Sequence, residues 1–130
     1  MRLYYVRHGL TDWNVAGRLQ GHRDVPLNGI GRAQALQCAS LLGDLFERDR
    51  HAAGSFGYVS SPLVRARETM EIMRAALGLD ATAYITDERL TEIGFGQRNA
   101  RRTAIDHAAD RGPVALAKGR NAKQVTERIE

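Results

Sequence analysis

Arg7, His8 and Gly9 are the first residues along the chain whose types could do chemistry together, and they directly follow a short apolar run. An imidazole can attack as a nucleophile or carry a proton near neutral pH. An adjacent guanidinium offers a planar fork of donors suited to a phosphate group. Glycine lets backbone and ligand approach closely. Taken alone, such a tripeptide is more often an ordinary surface loop, so its meaning depends on what accompanies it. Other reactive types read more plainly. Cys38 is the only cysteine, which excludes an internal disulfide and a cysteine-based metal cluster; it falls on an apolar stripe as inert core. His22, His51 and His107 read as solvated, Trp13 as packing beneath a loop, and Glu88 with Arg89 as a surface ion pair. No metal-ligand cluster is evident.

The elements that must position these residues follow from periodicity. Residues 3–6 form a short apolar, partly aromatic run that predicts a buried strand. A polar, glycine-containing stretch leads to residue 28. Ile30, Ala33, Cys38, Leu41, Leu42 and Leu45 then recur at helical spacing, with Asn28 as N-cap. A second strand is expected around Tyr58-Val59. The next helix opens with Ser61 as N-cap and Pro62 at its first position, and closes before Gly78. Leu63, Ala66, Met70, Met73 and Leu77 draw one apolar stripe along it. A third strand is expected at residues 83–86. Alternating strands and helices predict an α/β sheet with parallel neighbours, whose ligands gather at the carboxyl ends of the strands.

The 130 residues suit one domain; 43% are hydrophobic, enough for a core, and 26% are charged. No run of about 18 apolar residues is present to span a membrane, and no secretory signal is evident, so a cytoplasmic protein is expected. The formal charge is +4 and the isoelectric point about 9.7. Up to residue 97 the 11 arginines balance 11 acidic residues; residues 98–130 hold 8 basic and 4 acidic ones. The excess therefore lies in a basic tail. A basic tail can bind phosphate backbones, but this one has no aromatic residue for stacking on bases. A solvated, irregular or partly helical tail is the expectation.

Three blocks change the odds on Arg7-His8-Gly9. The first runs from Arg7 through Thr11, Trp13, Asn14, Gly17, Gln20, Gly21 and Asp24 to Ala35. The second is Ser61-Pro62-Leu63-Val64-Arg65-Ala66 with Glu68-Thr69 behind it, and the third is residues 88–96. Their order and intervals resemble the histidine phosphatase (phosphoglycerate mutase-like) superfamily. The resemblance implies a three-layer α/β/α sandwich and phosphoryl transfer through a phosphohistidine, without metal or other cofactor. It implies that His8 attacks phosphorus, that Arg7 and Arg65 clamp the phosphate, and that Glu92 protonates the leaving oxygen. Gly9, Thr11, Asn14, Gln20 and Gly21 match positions at the phosphate pocket, and the substrate implied is a small phosphorylated molecule. Guanidinium groups suit the charge spread over the equatorial oxygens of a phosphoryl group in flight. Glu92 must be protonated to donate, so phosphate or burial is expected to raise its pKa.

The resemblance weakens after residue 97. Leu10 stands where the family often has Glu or Gln. Beyond Gln97 the family usually continues Trp-Glu-Gly, and this chain has Arg98-Asn99-Ala100. A Gly-Glu-Ser segment and a second His-Gly are absent. The strand of that second histidine, in the family fold, lies between the strand of His8 and the strand leading to Arg65. The expectation is a single, incomplete domain over residues 1–130, with a family-like core at 1–97 and a divergent basic tail at 98–130. It lacks the C-terminal part of the fold, from truncation or frame disruption near Arg98. Residues 113–117 could form a helix of the inserted region. A phosphatase acting on small phosphomonoesters is the first reading. A mutase, or a catalytically impaired phosphate-binding or interaction protein assembling by strand exchange with a second copy, is the alternative.

Overall fold

The first strand, β1 (Arg2–Val6), forms on the aromatic and aliphatic run that predicts it. Burial alternates along it, so the strand is half-buried rather than buried as the apolar run predicts. Tyr4 and Val6 pack on the helical core, whereas Leu3 and Tyr5 are exposed. These observations come from a computed structural model that describes residues 2–91 and the backbone of residues 125–129.

After a four-residue helix, α1 (Asp12–Val15), comes the long helix α2 (Gly29–Arg48). Asn28 caps it as expected, its side chain accepting from the Gly31 amide at 2.8 Å. The inward face of α2 differs from the predicted stripe. Gly31, Ala35, Cys38, Ala39, Leu42 and Phe46 are buried, while Ile30, at 59% exposure, and Ala33 face outward. The start of the helix is turned by a close approach described below, which requires glycine at position 31.

A two-residue strand, β2 (Val59–Ser60), precedes α3 (Val64–Ala76), and β3 (Ile85–Thr86) pairs with β2 in parallel. Helix α3 begins two residues later than Ser61-Pro62 predicts. Its N-cap is Leu63, which makes no side-chain cap, and Ser61 Oγ only reaches the Leu63 amide at 3.4 Å. The first helical amide, on Val64, instead donates to Asp24 Oδ1 at 2.7 Å, a cap supplied from 40 residues away. Gly78 stands just past the C-cap at φ +75°, as predicted. Helices α2 and α3 pack together on the Tyr4/Val6 side of β1. Met73 joins Cys38, Ala39, Leu42 and Phe46 in the core, and Tyr4, Phe46 and Phe56 meet around its edge.

Residues 125–129, expected within a solvated, irregular or partly helical tail, form a strand instead. This strand, β4 (Val125–Ile129), is antiparallel to β1, with Arg2 opposite Ile129 and Val6 opposite Val125. Val125, Thr126 and Ile129 are β-branched, and that local preference outweighs the charge count from which the tail was read. The helix expected at residues 113–117 lies outside the described residues.

Among the described residues the strands make two separate pairs, β1 with β4 and β2 with β3. Between β1 and β2 opens a cleft of about 870 Å³, floored by Leu42, Met70 and Met73. This gap stands where the resemblance expects the strand of a second histidine. The helical layer described lies on one face only; Leu3, Tyr5, Val59 and Ile85 are 44–65% exposed. No helix among the described residues is long and apolar enough to cross a membrane.

Candidate active site

Strand β1 ends at Val6 and delivers Arg7 and His8 into the cleft, where Arg65 and Ser61 also contribute to the lining. The His8 ring is fixed at both nitrogens. Its Nδ1 lies 2.7 Å from the Gly9 carbonyl oxygen, and Nε2 lies 3.2 Å from Arg65 Nε. A guanidinium has only donors, so Nε2 must be the acceptor. The proton of the neutral ring is therefore on Nδ1, donated to Gly9. The lone pair of Nε2 points at the guanidinium, which is the orientation a nucleophile needs beside a phosphate clamp.

Arg65 is 1% exposed and sits in the first turn of α3. Its other nitrogens donate to backbone carbonyls of the preceding loop, Nη1 to Arg23 at 2.8 Å and Nη2 to Gly21 at 2.8 Å. Gly21 adopts φ +51°, which lets the loop turn its carbonyl onto the guanidinium. The charge is thus held by oriented dipoles, with one edge of the fork directed at His8. A helix N-terminus is itself a place where anions bind. The Asp24 carboxylate already takes that place through the Val64 amide, so the side chain rather than the helix end faces the cleft.

The remaining pocket residues divide. Thr11, Asn14 and Gln20 come together as a cluster, with Thr11 0% and Gln20 5% exposed. Thr11 Oγ1 donates to Gln20 Oε1 at 2.6 Å, and Thr11 and Asn14 form a reciprocal capping box at the start of α1. These groups shape the loop behind His8 by bonding to one another. Trp13 lies beneath the Arg18 guanidinium at 3.8 Å, a packing role as expected. Arg7 is exposed at the mouth of the cleft. Arg89 pairs with Asp87 rather than with Glu88, because Asp87 caps the short turn that carries Arg89; that bond lowers the Asp87 pKa to about 2. Glu92 and His107 lie outside the described residues. Among the described residues no group of three or more His, Cys, Asp or Glu could hold a metal ion.

The family model for the histidine phosphatase superfamily (branch 1) matches residues 3–130. The chain belongs to the histidine phosphatase superfamily. The match continues through the basic tail, beyond the point where the motifs become hard to follow by eye. Among curated histidine phosphatase relatives, the probable phosphoglycerate mutase GpmB of Shigella dysenteriae is 31% identical over 142 residues; the alignment takes in 99% of this chain and 60% of that protein. The Escherichia coli K12 protein of the same name gives the same figures. The chain thus spans about 60% of the length of the curated relatives it matches. A mycobacterial glucosyl-3-phosphoglycerate phosphatase, solved with VO3, superposes with TM-score 0.63 at 35% identity, over 85% of this chain and 49% of that one. A phosphoserine phosphatase from Entamoeba histolytica, in complex with 3-phosphoglyceric acid, gives TM-score 0.57 at 30% identity over 75% and 43%. The fold is therefore the phosphoglycerate mutase-like α/β fold, over about half of those chains.

Reading the histidine phosphatase motifs as sequence missed the residues that hold the site together. Thr69, 3% exposed, accepts from the Gly9 amide at 3.1 Å. Gln34 Oε1 accepts from the Leu10 amide at 2.9 Å, and Glu68 Oε2 from the Leu27 amide at 2.7 Å. Thr69 was legible in principle: it stands four residues after Arg65, on the same helical face.

Proposed function

We propose that this chain carries the nucleophile half of a phosphomonoesterase site that works through a phosphohistidine at His8. The observation that carries the proposal is the pairing of the His8 Nε2 lone pair with the buried Arg65 guanidinium, while Nδ1–H is held by Gly9. A phosphoryl oxygen arriving at Nε2 would take over the Arg65 N–H that now meets the ring. The Nε2 lone pair then bonds to phosphorus as the bond to the leaving oxygen breaks. That oxygen takes a proton from Glu92, in the role the resemblance implies. Water attacks the phosphohistidine next, the P–N bond breaks, and the proton of the water passes to the Glu92 carboxylate. Arg7, Gly9 and the loop shaped by Thr11, Asn14, Gln20 and Gly21 would border the phosphate. Each charge-assisted hydrogen bond to it contributes roughly 1.5–3 kcal/mol.

Small phosphorylated metabolites are the substrate class, in keeping with the phosphatases and probable mutases among the relatives. We favour hydrolysis over mutase chemistry because only the shared core motifs are present, and a mutase needs a pocket that retains its phosphoryl donor against water. A second reading is phosphate binding without turnover at the buried Arg65 guanidinium. Hydrolysis of para-nitrophenyl phosphate between about pH 5 and 8, beside His8→Ala, separates the readings. Turnover lost in the mutant, with an acid-labile and base-stable phosphoryl group trapped only on the wild type, supports the proposal. Turnover indifferent to His8→Ala overturns it, and phosphate binding without turnover favours the second reading.

A further inference from the structure

We infer that Thr69 is a positioning residue for the His8 nucleophile, its hydroxyl joining the peptide after His8 to the helical turn that carries Arg65. This inference rests on the proposed role of His8. A hydroxyl has one proton and can accept with its lone pairs. Thr69 Oγ1 gives its proton to the Arg65 carbonyl at 2.8 Å and accepts the Gly9 amide at 3.1 Å. The first bond is common for threonine inside a helix. The second is not, since it reaches a loop 60 residues earlier. At 3% exposure, water has little access to replace either bond.

The geometry gives the bond a catalytic consequence. The Gly9 amide lies in the peptide immediately after His8, so Thr69 sets the plane of that peptide. The next peptide carries the Gly9 carbonyl that accepts from His8 Nδ1, and its amide, on Leu10, is held by Gln34. Across the loop, a side chain at Gly9 would meet the Gly31 carbonyl oxygen at 2.3 Å, so the loop is also backed closely by α2. With both peptides fixed, the ring keeps one tautomer and one orientation toward Arg65. Glu68 and Arg67, beside Thr69, bond elsewhere: Glu68 to the Leu27 amide and Arg32, Arg67 to Tyr84 and Glu71.

The test compares Thr69→Val, which replaces the hydroxyl by a methyl group, with Thr69→Ser, which keeps it, alongside His8→Ala. Thr69→Val should lower kcat by about 10- to 100-fold with KM little changed, and Thr69→Ser should stay within about threefold of wild type. Nitrogen-15 spectra of the wild type should show His8 protonated on Nδ1, a slowly exchanging Gly9 amide, and loss of both signatures in the valine variant. A valine variant with wild-type kcat, while His8→Ala is dead, overturns the inference and leaves the His8 reading standing. Activity surviving in His8→Ala overturns the reading itself. Should the valine variant not fold, or the chain not turn over, the wild-type and serine spectra decide. A fast-exchanging Gly9 amide or an Nε2-protonated ring then overturns the inference.

Discussion

Replacing Gly31 by alanine should force apart the two backbones on which the His8 loop depends. A Cβ at Gly31 would lie 2.1 Å from the Leu10 carbonyl oxygen and 2.8 Å from the Leu10 nitrogen. Ordinary carbon–oxygen contacts begin at about 3.4 Å, so backbone must move by roughly 1.3 Å. Neither side yields easily. The Leu10 amide is held by Gln34 at 2.9 Å and its carbonyl by the Asn28 amide at 2.9 Å, while Asn28 Oδ1 holds the Gly31 amide at 2.8 Å. Overpacking costs about 1–3 kcal/mol, and breaking one of these hydrogen bonds adds about 1 kcal/mol. Alanine returns about 0.5–1 kcal/mol of helix propensity, leaving a net loss of about 1–3.5 kcal/mol. The matched control is Gly43→Ala on the same helix, where the added Cβ meets only Leu77 Cδ2 at 3.7 Å. There the propensity gain should stand alone, stabilising by about 0.5–1 kcal/mol. Urea unfolding followed by circular dichroism reads both signs. Aryl phosphate hydrolysis should fall about 100-fold in Gly31→Ala, the scale expected of a displacement of about 1 Å at a reacting group. A Gly31→Ala protein as stable as Gly43→Ala, with turnover intact, would refute the packing argument.

Two further perturbations address charge and pH. Arg65→Lys keeps the positive charge but not the fork that reaches His8, Gly21 and Arg23 together; losing two of these bonds should cost about 3–6 kcal/mol, divided between stability and phosphate affinity. Isothermal titration with inorganic phosphate and urea unfolding measure the two parts, and wild-type values in both would sink the assignment. Cys38 is 1% exposed, and burial raises its pKa from 9.0 to about 11, so the folded chain favours the neutral thiol. That contribution is whole below about pH 9 and is lost as the pH rises to about 11, a span worth roughly 3 kcal/mol. Wild type should therefore lose stability over that range more steeply than Cys38→Ala; parallel unfolding curves for the two would count against it.

The strands and helices were legible because their apolar residues follow the right periods, and Asn28 and Gly78 mark ends by local chemistry alone. The inward face of α2 was not, because it is set by Gly31 leaning on Leu10, a contact between segments 21 residues apart. Helix α3 misled for a related reason. Its predicted apolar stripe includes Met70 and Met73, yet Arg65, Thr69 and Arg74 are among its most buried residues. A polar residue buried to serve a site carries no hydrophobic signal. The true cap of α3 is Asp24, which no local pattern connects to Val64. Within the candidate site, His8, Arg65 and Gly21 were brought together as expected, while the binding of phosphate by Thr11, Asn14 and Gln20 rests on the resemblance. β4 was missed because charge was weighed over the β-branched residues Val125, Thr126 and Ile129.

The described residues are finished on one side and unfinished on the other, and the division has a physical logic. Among the described residues, the loop after His8 is anchored by groups lying within residues 9–69. Gly9 is held by Thr69, Leu10 by Gln34 and Asn28, Thr11 by Asn14 and Gln20, and the loop carbonyls at Gly21 and Arg23 by Arg65. Hydrogen bonds are short-ranged and saturable, so a loop tied this way is fixed once its partners are present. Apolar burial has no such closure. Leu3 and Tyr5 alternate with Tyr4 and Val6 on β1, and only the latter pair meets the helical layer. The anchors of the His8 loop that α2 and α3 supply thus lie on the helical side of β1, away from its exposed face. Changes on the sheet face should therefore alter association and solubility before they alter the contact between His8 and Arg65.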